Sequence, residues 1–312
     1  MSVPNLSWLF YKDYYAGFRF WKNDDKEGNK GPISSFFKKK NDKIIKSVLP
    51  ELPVNGNKEI NLVTTYPGLI VGTGYTHETK NEGEFKIGFH FDYTYGVPVI
   101  PGSSVKGLIR SAFPQFKRNK KKIWERDTEE RDTEIKREKA RYIGSKLLNW
   151  KEEGEALLDK VHELEQHLFE GLNIMESVKE DKAIYYSVYK RDIFYDAFPT
   201  AILQGDNKSF LGTDAITPHG DNPLQNPVPL PFVKILPGVM IRFGFNLVAA
   251  DCHLLTAEKR KELYEKILLE FGAGAKTNVG YGQFETTHQF TSRAVNKGII
   301  RDLPKMPPPR FK

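Results

Sequence analysis

Four glycines, at positions 272, 274, 280 and 282, surround Lys276, Thr277 and Asn278 in the stretch GAGAKTNVGYG. Glycine lets a backbone take positive φ and approach a ligand with no side chain in the way. Amides exposed in such a loop form an anion-binding concavity, and Lys276 adds a mobile positive charge beside it. A sugar-phosphate chain suits that chemistry, with Gly272, Gly274, Lys276, Thr277, Asn278, Gly280 and Tyr281 as its candidate contacts. Two nucleotide-binding patterns come near and fail. G-x-x-x-x-G-K-[ST] needs glycine at 270 and 275, where the chain has Glu270 and Ala275, and the dinucleotide pattern G-x-G-x-x-G meets Thr277 at its third glycine. A helix stop at Gly272 followed by a turn into YGQFETT explains one glycine and leaves three. Taken alone, the loop leaves both readings open.

A second constellation is IPGSSVKGLIR at 100–110. Pro101 and Gly102 end a strand, Ser103 or Ser104 is placed to cap a helix, and Lys106 and Arg110 lie one turn apart on the same helical face. The free amides of a helix N-terminus bind phosphate, and two cations at that spacing can meet successive phosphates of a backbone. A solvated basic helix fits the same residues.

Groups for catalysis are sparse. The seven histidines are dispersed, and His162 and His167, five apart, do not share a metal-binding helix face. The single cysteine, Cys252, excludes an intrachain disulfide and a thiolate cluster, and its neighbour His253 reads as a strand-end accident. His77, in GTGYTHETKNEG, is the best general-base candidate, because a glycine-rich loop between strands could admit an RNA 2′-hydroxyl. It is read as a non-catalytic loop residue. No catalytic residue, metal or cofactor is therefore expected.

The elements that must hold these motifs are read from periodicity. EINLVTTY, EFKIGFHFD and VMIRFGFNL are strand text; the second puts Phe85, Ile87, Phe89 and Phe91 on one face, and the third puts Val239, Ile241, Phe243, Phe245 and Leu247 on one face. SSVKGLIRSAF (103–113), a charged stretch from Thr133 to Leu172, and TAEKRKELYEKILLEF (256–271) are helix text, with Leu157, Val161, Leu164 and Leu168 at helical spacing. An α+β protein follows, with two small units of antiparallel sheet whose outer faces are free for binding. The expected divisions are an aromatic and lysine-rich extension (1–57), a first unit (58–200) with a charged helical insertion at about 117–175, a second unit (201–290) ending in the glycine-rich loop, and a proline-rich tail (291–312). Eight aromatics crowd positions 8–21, and Tyr11, Tyr15 and Phe18 suggest a helix docked on the body, with base stacking as the other use. Residues 22–57 read as a flexible connector. FKRNKKK at 116–122 is a solvated basic run that could touch RNA.

The chain has 312 residues, 39% of them hydrophobic, enough for a sizeable core. Its net charge of +7 favours polyanionic partners. MSVPNLSWLFYKDYY lacks a cleavable leader pattern, and the longest apolar stretch, VMIRFGFNLVAA, is interrupted by Arg242 and Asn246, short of the ~18 residues a spanning helix needs. A soluble, cytoplasmic protein with no membrane partner is expected.

YGVPVIPGSSVKGLIRSAF and FGAGAKTNVGYGQF, in that order and separation, resemble two motifs of the RAMP proteins of CRISPR systems, and among them the sixth subunit of the type III-B Cmr effector. YDAFPT at 195–200 and GTDAITPHGDNPLQNPVPLPFVKILPG add to that likeness, which spans about residues 60–287. The resemblance implies a pair of ferredoxin-like, RNA-recognition-type units and a non-catalytic subunit for antiviral defence. It implies capping of the effector filament at the 3′ end of the crRNA, with the backbone subunit, the small helical subunit and subunit one as neighbours, and target RNA as a further candidate ligand. A metal-independent, guide-processing endoribonuclease with His77 as base is the alternative within the same superfamily.

Overall fold

A computed structural model of the chain describes residues 4–18, 30–74, 77, 81, 83–115, 133–180, 182–204, 209–217, 229–248 and 254–296. In chain order the elements are α1 (Leu6–Trp8, continued as a π-helical stretch Leu9–Asp13), α2 (Lys30–Ile45), β1 (Lys58–Thr64), α3 (Gly102–Ser111), α4 (Thr133–Arg141, continued as Tyr142–Leu147), α5 (Gly154–Glu165, continued as Gln166–Glu170), α6 (Ile174–Glu180), β2 (Ile193–Phe194), β3 (Phe198–Ile202), β4 (Leu211–Ile216), β5 (Leu230–Ile235), β6 (Val239–Asn246), α7 (Ala257–Phe271), β7 (Phe284–Thr286) and α8 (Thr287–Asn296). Cys252, His253, the FKRNKKK run and the PKMPPPRFK tail lie outside the described residues.

The main sheet runs β2–β6–β1–β7, with β3 also on β6, and every pairing is antiparallel. Because β1 and β3 each oppose β6, they run parallel to one another with β6 between them. Likewise β6 and β7 run parallel with β1 between them. Helix α3 lies in the connection from β1 to β3 and α7 in that from β6 to β7, so two split β–α–β units interleave in one sheet. Mixed helix and antiparallel sheet is what the α+β expectation named. The strands, however, form one main sheet with members from both 58–200 and 201–290, while β4 and β5 make a separate two-stranded ladder. Alternating burial tells a strand which face to hide and says nothing of its partner.

In β6, Val239, Ile241, Phe243, Phe245 and Leu247 are buried as their alternation requires. EFKIGFHFD behaves differently: Phe85, Phe89 and Phe91 are buried, yet the segment makes only isolated bridges, Ile87 to Phe232 and Phe91 to Pro98. Its side chains pack on the N-terminal aromatics, Phe91 with its ring centroid 5.4 Å from Phe10 and Phe85 with its own 6.2 Å from Tyr14, in place of a ladder.

Helices α3 and α7 cover one face of the main sheet; Tyr264 of α7 stacks at 5.5 Å on Phe245 and at 5.4 Å on Phe194. Thr256 caps α7 by accepting from Lys259 N–H at 3.3 Å. The opposite face, expected to be open, is occupied. Phe290 and Ala294 of α8 bury Val63 of β1, Leu52 packs with Val97, Val99 and Phe198, and Arg242 of β6 donates to the carbonyls of Leu52 (3.2 Å) and Pro53 (2.6 Å). An apolar residue such as Val63 on that face must find cover.

The connector expected at 22–57 contains a helix, α2, because Phe37 and Ile44 sit two turns apart and are wholly buried while the lysines face outward or pair. Lys40 reaches Asp13 at 2.9 Å. The N-terminal aromatics dock on the body, with Phe10 and Tyr14 fully buried. The helical spacing of Leu157, Val161, Leu164 and Leu168 is matched by their burial on α5 and its continuation, and α4 packs on α5. Helix α8 crosses the expected boundary at 290.

Truncating Phe243, wholly buried at the centre of β6, is expected to cost roughly 3–5 kcal/mol. The midpoint of urea unfolding of Phe243→Ala checks this; a shift worth under about 1 kcal/mol would contradict the packing.

Candidate functional site

Helix α3 begins one residue before the serines. Its N-cap is Pro101, and Gly102 N–H donates to Asp196 Oδ1 at 2.6 Å. Ser103 and Ser104 therefore lie in the first turn, exposed, and do not cap the helix as expected. A carboxylate delivered from the β2–β3 connection already sits at the positive end of the helix, where a phosphate was expected. Asp196 belongs to the YDAFPT stretch; nothing in its spacing marks it as a cap.

Lys106 and Arg110 do share a face of α3, and the insertion is docked against it. Arg110 Nε lies 3.3 Å from Glu165 Oε1, its Nη1 lies 2.6 Å from Glu170 Oε1, and its guanidinium lies 5.9 Å from the Phe169 ring centroid. The Glu165 side chain is completely buried; burial pushes its carboxyl up, against Gln115 N–H and Arg110, which favour the charge. Arg110 thus neutralises buried acid. Lys106 is half-buried, 6.0 Å from the Phe194 ring centroid. Burial pushes its amine below the usual lysine range, Glu170 opposes that shift, and Arg110 and Arg191 add to it.

The glycine-rich loop is partly a structural joint. Ala273 N–H donates to Gly282 O at 2.8 Å, Ala275 N–H to Ile70 O at 2.8 Å and Gly282 N–H to Gly68 O at 2.7 Å. A Cβ on Gly282 would stand 1.8 Å from Ala273 O, and one on Gly274 2.2 Å from Ile70 O. These glycines let the chain approach itself, where the sequence suggested approach by a ligand. Tyr281 is buried and donates to Asp214 Oδ2 at 2.8 Å, and Lys234 Nζ reaches the same oxygen at 2.6 Å, which ties the loop to the β4–β5 ladder. Burial pushes Asp214 up, but hydrogen bonds from Lys234 and Tyr281 outweigh it and hold the carboxyl below the usual aspartate range.

The centre of the loop is not tied down in the same way. Lys276 is left-handed (φ 60°, ψ 34°) and leads into a 3₁₀ turn at Thr277–Val279. Among the described residues no backbone acceptor pairs with the amides of Lys276, Thr277 or Asn278. Three successive amides around a left-handed residue make a nest for an anion. Asn278 is exposed and Gly280 faces only Pro67. No hydrogen bond or ion pair among the described residues joins this loop to residues 103–110.

His77 is placed unlike a general base. Its ring is stacked between Phe10 (4.5 Å) and Tyr14 (4.4 Å), and its nitrogens face Phe85 O (3.0 Å) and Phe10 O (3.2 Å). Burial pushes its pKa down, against those two carbonyls. The ring holds the N-terminal segment to residue 85. Among the described residues no group of three or more His, Cys, Asp or Glu could hold a metal ion, and no helix is long and apolar enough to cross a membrane.

The family model for the RAMP superfamily matches residues 61–285. No curated protein sequence matches the chain. Among solved structures, a chain of the type III-B Cmr-beta complex bound to cognate target RNA is 21% identical over 73% of this chain and 57% of that one (TM-score 0.39). Cmr6 from Pyrococcus furiosus is 21% identical over 73% of this chain and 97% of that one (TM-score 0.38). A chain of the type III-A Csm complex with crRNA and target RNA is 19% identical over 63% and 53% (TM-score 0.28).

Two outcomes test the loop as a joint. Gly282→Ala is expected to lower the melting temperature far more than Gly280→Ala, whose Cβ makes only an ordinary contact with Pro67 at 3.5 Å at the cost of a strained φ of 96°, roughly 1–2 kcal/mol; equal losses would be inconsistent with the 273–282 contact. Asp214 contributes stability that is full above the unfolded aspartate pKa of about 3.9 and is lost as pH falls through its lowered folded value. Asp214→Asn should therefore melt lower than the wild type at pH 7 and lose less between pH 7 and pH 3, as thermal unfolding across that range would read.

Proposed function

This chain belongs to the RAMP superfamily, and on that premise we propose that it is a non-catalytic RNA-binding subunit of a type III-B CRISPR effector, serving antiviral defence in the cytoplasm. The observation that carries the reading is the run of free amides at Lys276, Thr277 and Asn278 beside the Lys276 side chain. Such a nest grips a phosphate without reading a base. Gly280 puts no side chain in the approach to it. In this proposal Ser103, Ser104 and Lys106 of α3 offer a second, weaker phosphate contact, whereas Arg110 acts mainly inside its ion pair and Tyr281 as the strut that sets the loop.

The finer placement rests on the likeness of PGSSVKGLIR and GAGAKTNVGYG to the sixth Cmr subunit. We take the interleaved sheet as a ferredoxin-like, RNA-recognition-type unit and the ligand as crRNA, with the chain capping the filament at its 3′ end beside the backbone subunit, the small helical subunit and subunit one. The burial of His77 between Phe10 and Tyr14 supports a role without chemistry on the RNA.

Binding of labelled single-stranded RNA, followed by anisotropy over a range of salt, tests this. For single strands log K falls with log salt by about 0.7 per phosphate neutralised. Lys276→Ala is expected to weaken binding and to lower that slope by about 0.7 with an unchanged melting temperature. Slope and affinity both equal to the wild type would remove the loop from the interface.

A further inference from the structure

Residues 182–191 carry Tyr185, Tyr186 and Tyr189 together with Lys182, Lys190 and Arg191, and no carboxylate. None of the RNA contacts proposed above lies among them. Tyr189 is 91% exposed and Tyr185 42%, beside an exposed Lys190. With Val188 also exposed, these rings form a local apolar cluster in water, and clusters of that kind mark interaction sites where a lone exposed ring would not.

The segment is fixed. Asn173 N–H donates to Ile184 O at 2.9 Å, Tyr186 N–H to Gly171 O at 2.9 Å and Lys190 N–H to Ser187 O at 2.8 Å. Arg191 Nε–H donates to Tyr186 O at 2.7 Å, and the Tyr186 ring stands edge-on to His167 at 5.4 Å. The short 3₁₀ turn Val188–Lys190 then projects the Tyr189 ring from a braced loop. Bracing of this kind removes most of the ordering cost that a flexible loop would meet on binding.

A shallow cleft of only about 10 Å³ opens next to it, bounded by His167, Tyr186, Lys190, Arg191, Asp192 and Arg260. Asp192 is committed to Arg260 at 3.4 Å, both side chains being almost entirely buried. The carboxylate is therefore spent, and no ion pair among the described residues engages Lys190 or Arg191 at the rim. Arg260 Nε is buried with no hydrogen-bond partner among the described residues, but its charge is matched by Asp192, so the positive charge at the cleft comes from its rim. Arg191 is also near enough to Lys106 to disfavour the charge on that amine.

Exposed ring, flanking cations and an electropositive cleft are the parts of a single-strand platform: every base has a π-face to stack, and every nucleotide a phosphate. Exposed Val188, Met175 and Val178 nearby are apolar, but a purely apolar partner would leave Lys190 and Arg191 without counter-charge. We propose that residues 185–191 form a second RNA-contact surface, on which a base of single-stranded RNA stacks on Tyr189 while its phosphate lies against Lys190 and Arg191 at the mouth of the cleft. This rests on the RNA-binding reading and gives it a further footing, apart from α3 and the glycine-rich loop.

The test is anisotropy of the full chain with a fluorescein-labelled 20-nucleotide polyuridine across salt concentrations, for the wild type, Lys276→Ala, Tyr189→Ala, Tyr189→Phe and Lys190→Ala. Tyr189→Ala is expected to weaken binding on the order of tenfold with an unchanged salt slope, since the ring carries no charge, and Tyr189→Phe to restore it. Lys190→Ala is expected to lower the slope by about 0.7. If Lys276→Ala weakens binding while the variants at 189 and 190 match the wild type, the platform is overturned and the RNA-binding reading stands. If the wild type binds no RNA, that reading fails and the platform with it. If Tyr189→Ala keeps RNA affinity but loses association with neighbouring effector subunits, the occupant is protein and the proposal is overturned.

Discussion

The antiparallel ladder between β1 and β6 joins residue 58 to residue 245 and residue 63 to residue 240, and the other elements take their places from it. Closing a loop of that length is costly in chain entropy, although the cost grows only slowly with length. What offsets it is the apolar row along β6, Val239 to Leu247, which can leave water only by lying between β1 and the helices. Once β6 is beside β1, the chain has a place for β7 on the far side of β1 and for β2 and β3 on the far side of β6. Helices α3 and α7 then follow as the crossovers. The glycine-rich loop is the joint by which α7 returns to β7, so its glycines answer first to that closure.

The same closure governs the charges. Several basic groups brought near the core by the fold meet an acid from another element: Arg110 meets Glu165 and Glu170, Arg260 meets Asp192, and Lys234 meets Asp214. Buried cations need such partners, since an isolated charge in low dielectric is far more costly than a paired one. The net charge of +7 is therefore a poor guide to where a polyanion would sit. Among the described residues the groups available to one include the amides of 276–278 and the cations of the 182–191 loop. Both are backbone-braced and neither presents a set of side chains for reading a base edge, which fits contact along a strand irrespective of its sequence.

Local pattern was decisive where an element's own side chains choose its state. The alternation in VMIRFGFNL, the 3.6-residue spacing of Leu157, Val161, Leu164 and Leu168, and the threonine before AEKRKEL all specify strand or helix through nearest neighbours along the chain, and the structure has those elements there. The two motifs at 100–110 and 272–282 were likewise visible as runs of small, polar and basic residues. What remained hidden was set by partners far along the chain. EFKIGFHFD lacks a ladder because aromatics from the first turn of the protein cover it; the lysine-rich connector holds a helix because Phe37 and Ile44 find the core; and Ser103 and Ser104 yield the cap to Asp196. Residue types and spacing determined that this chain would carry sheet, amphipathic helices and a glycine-rich, basic loop. Only the tertiary structure decided which amides and which cations stay free, because hydrogen bonds and ion pairs are satisfied in space and not in sequence.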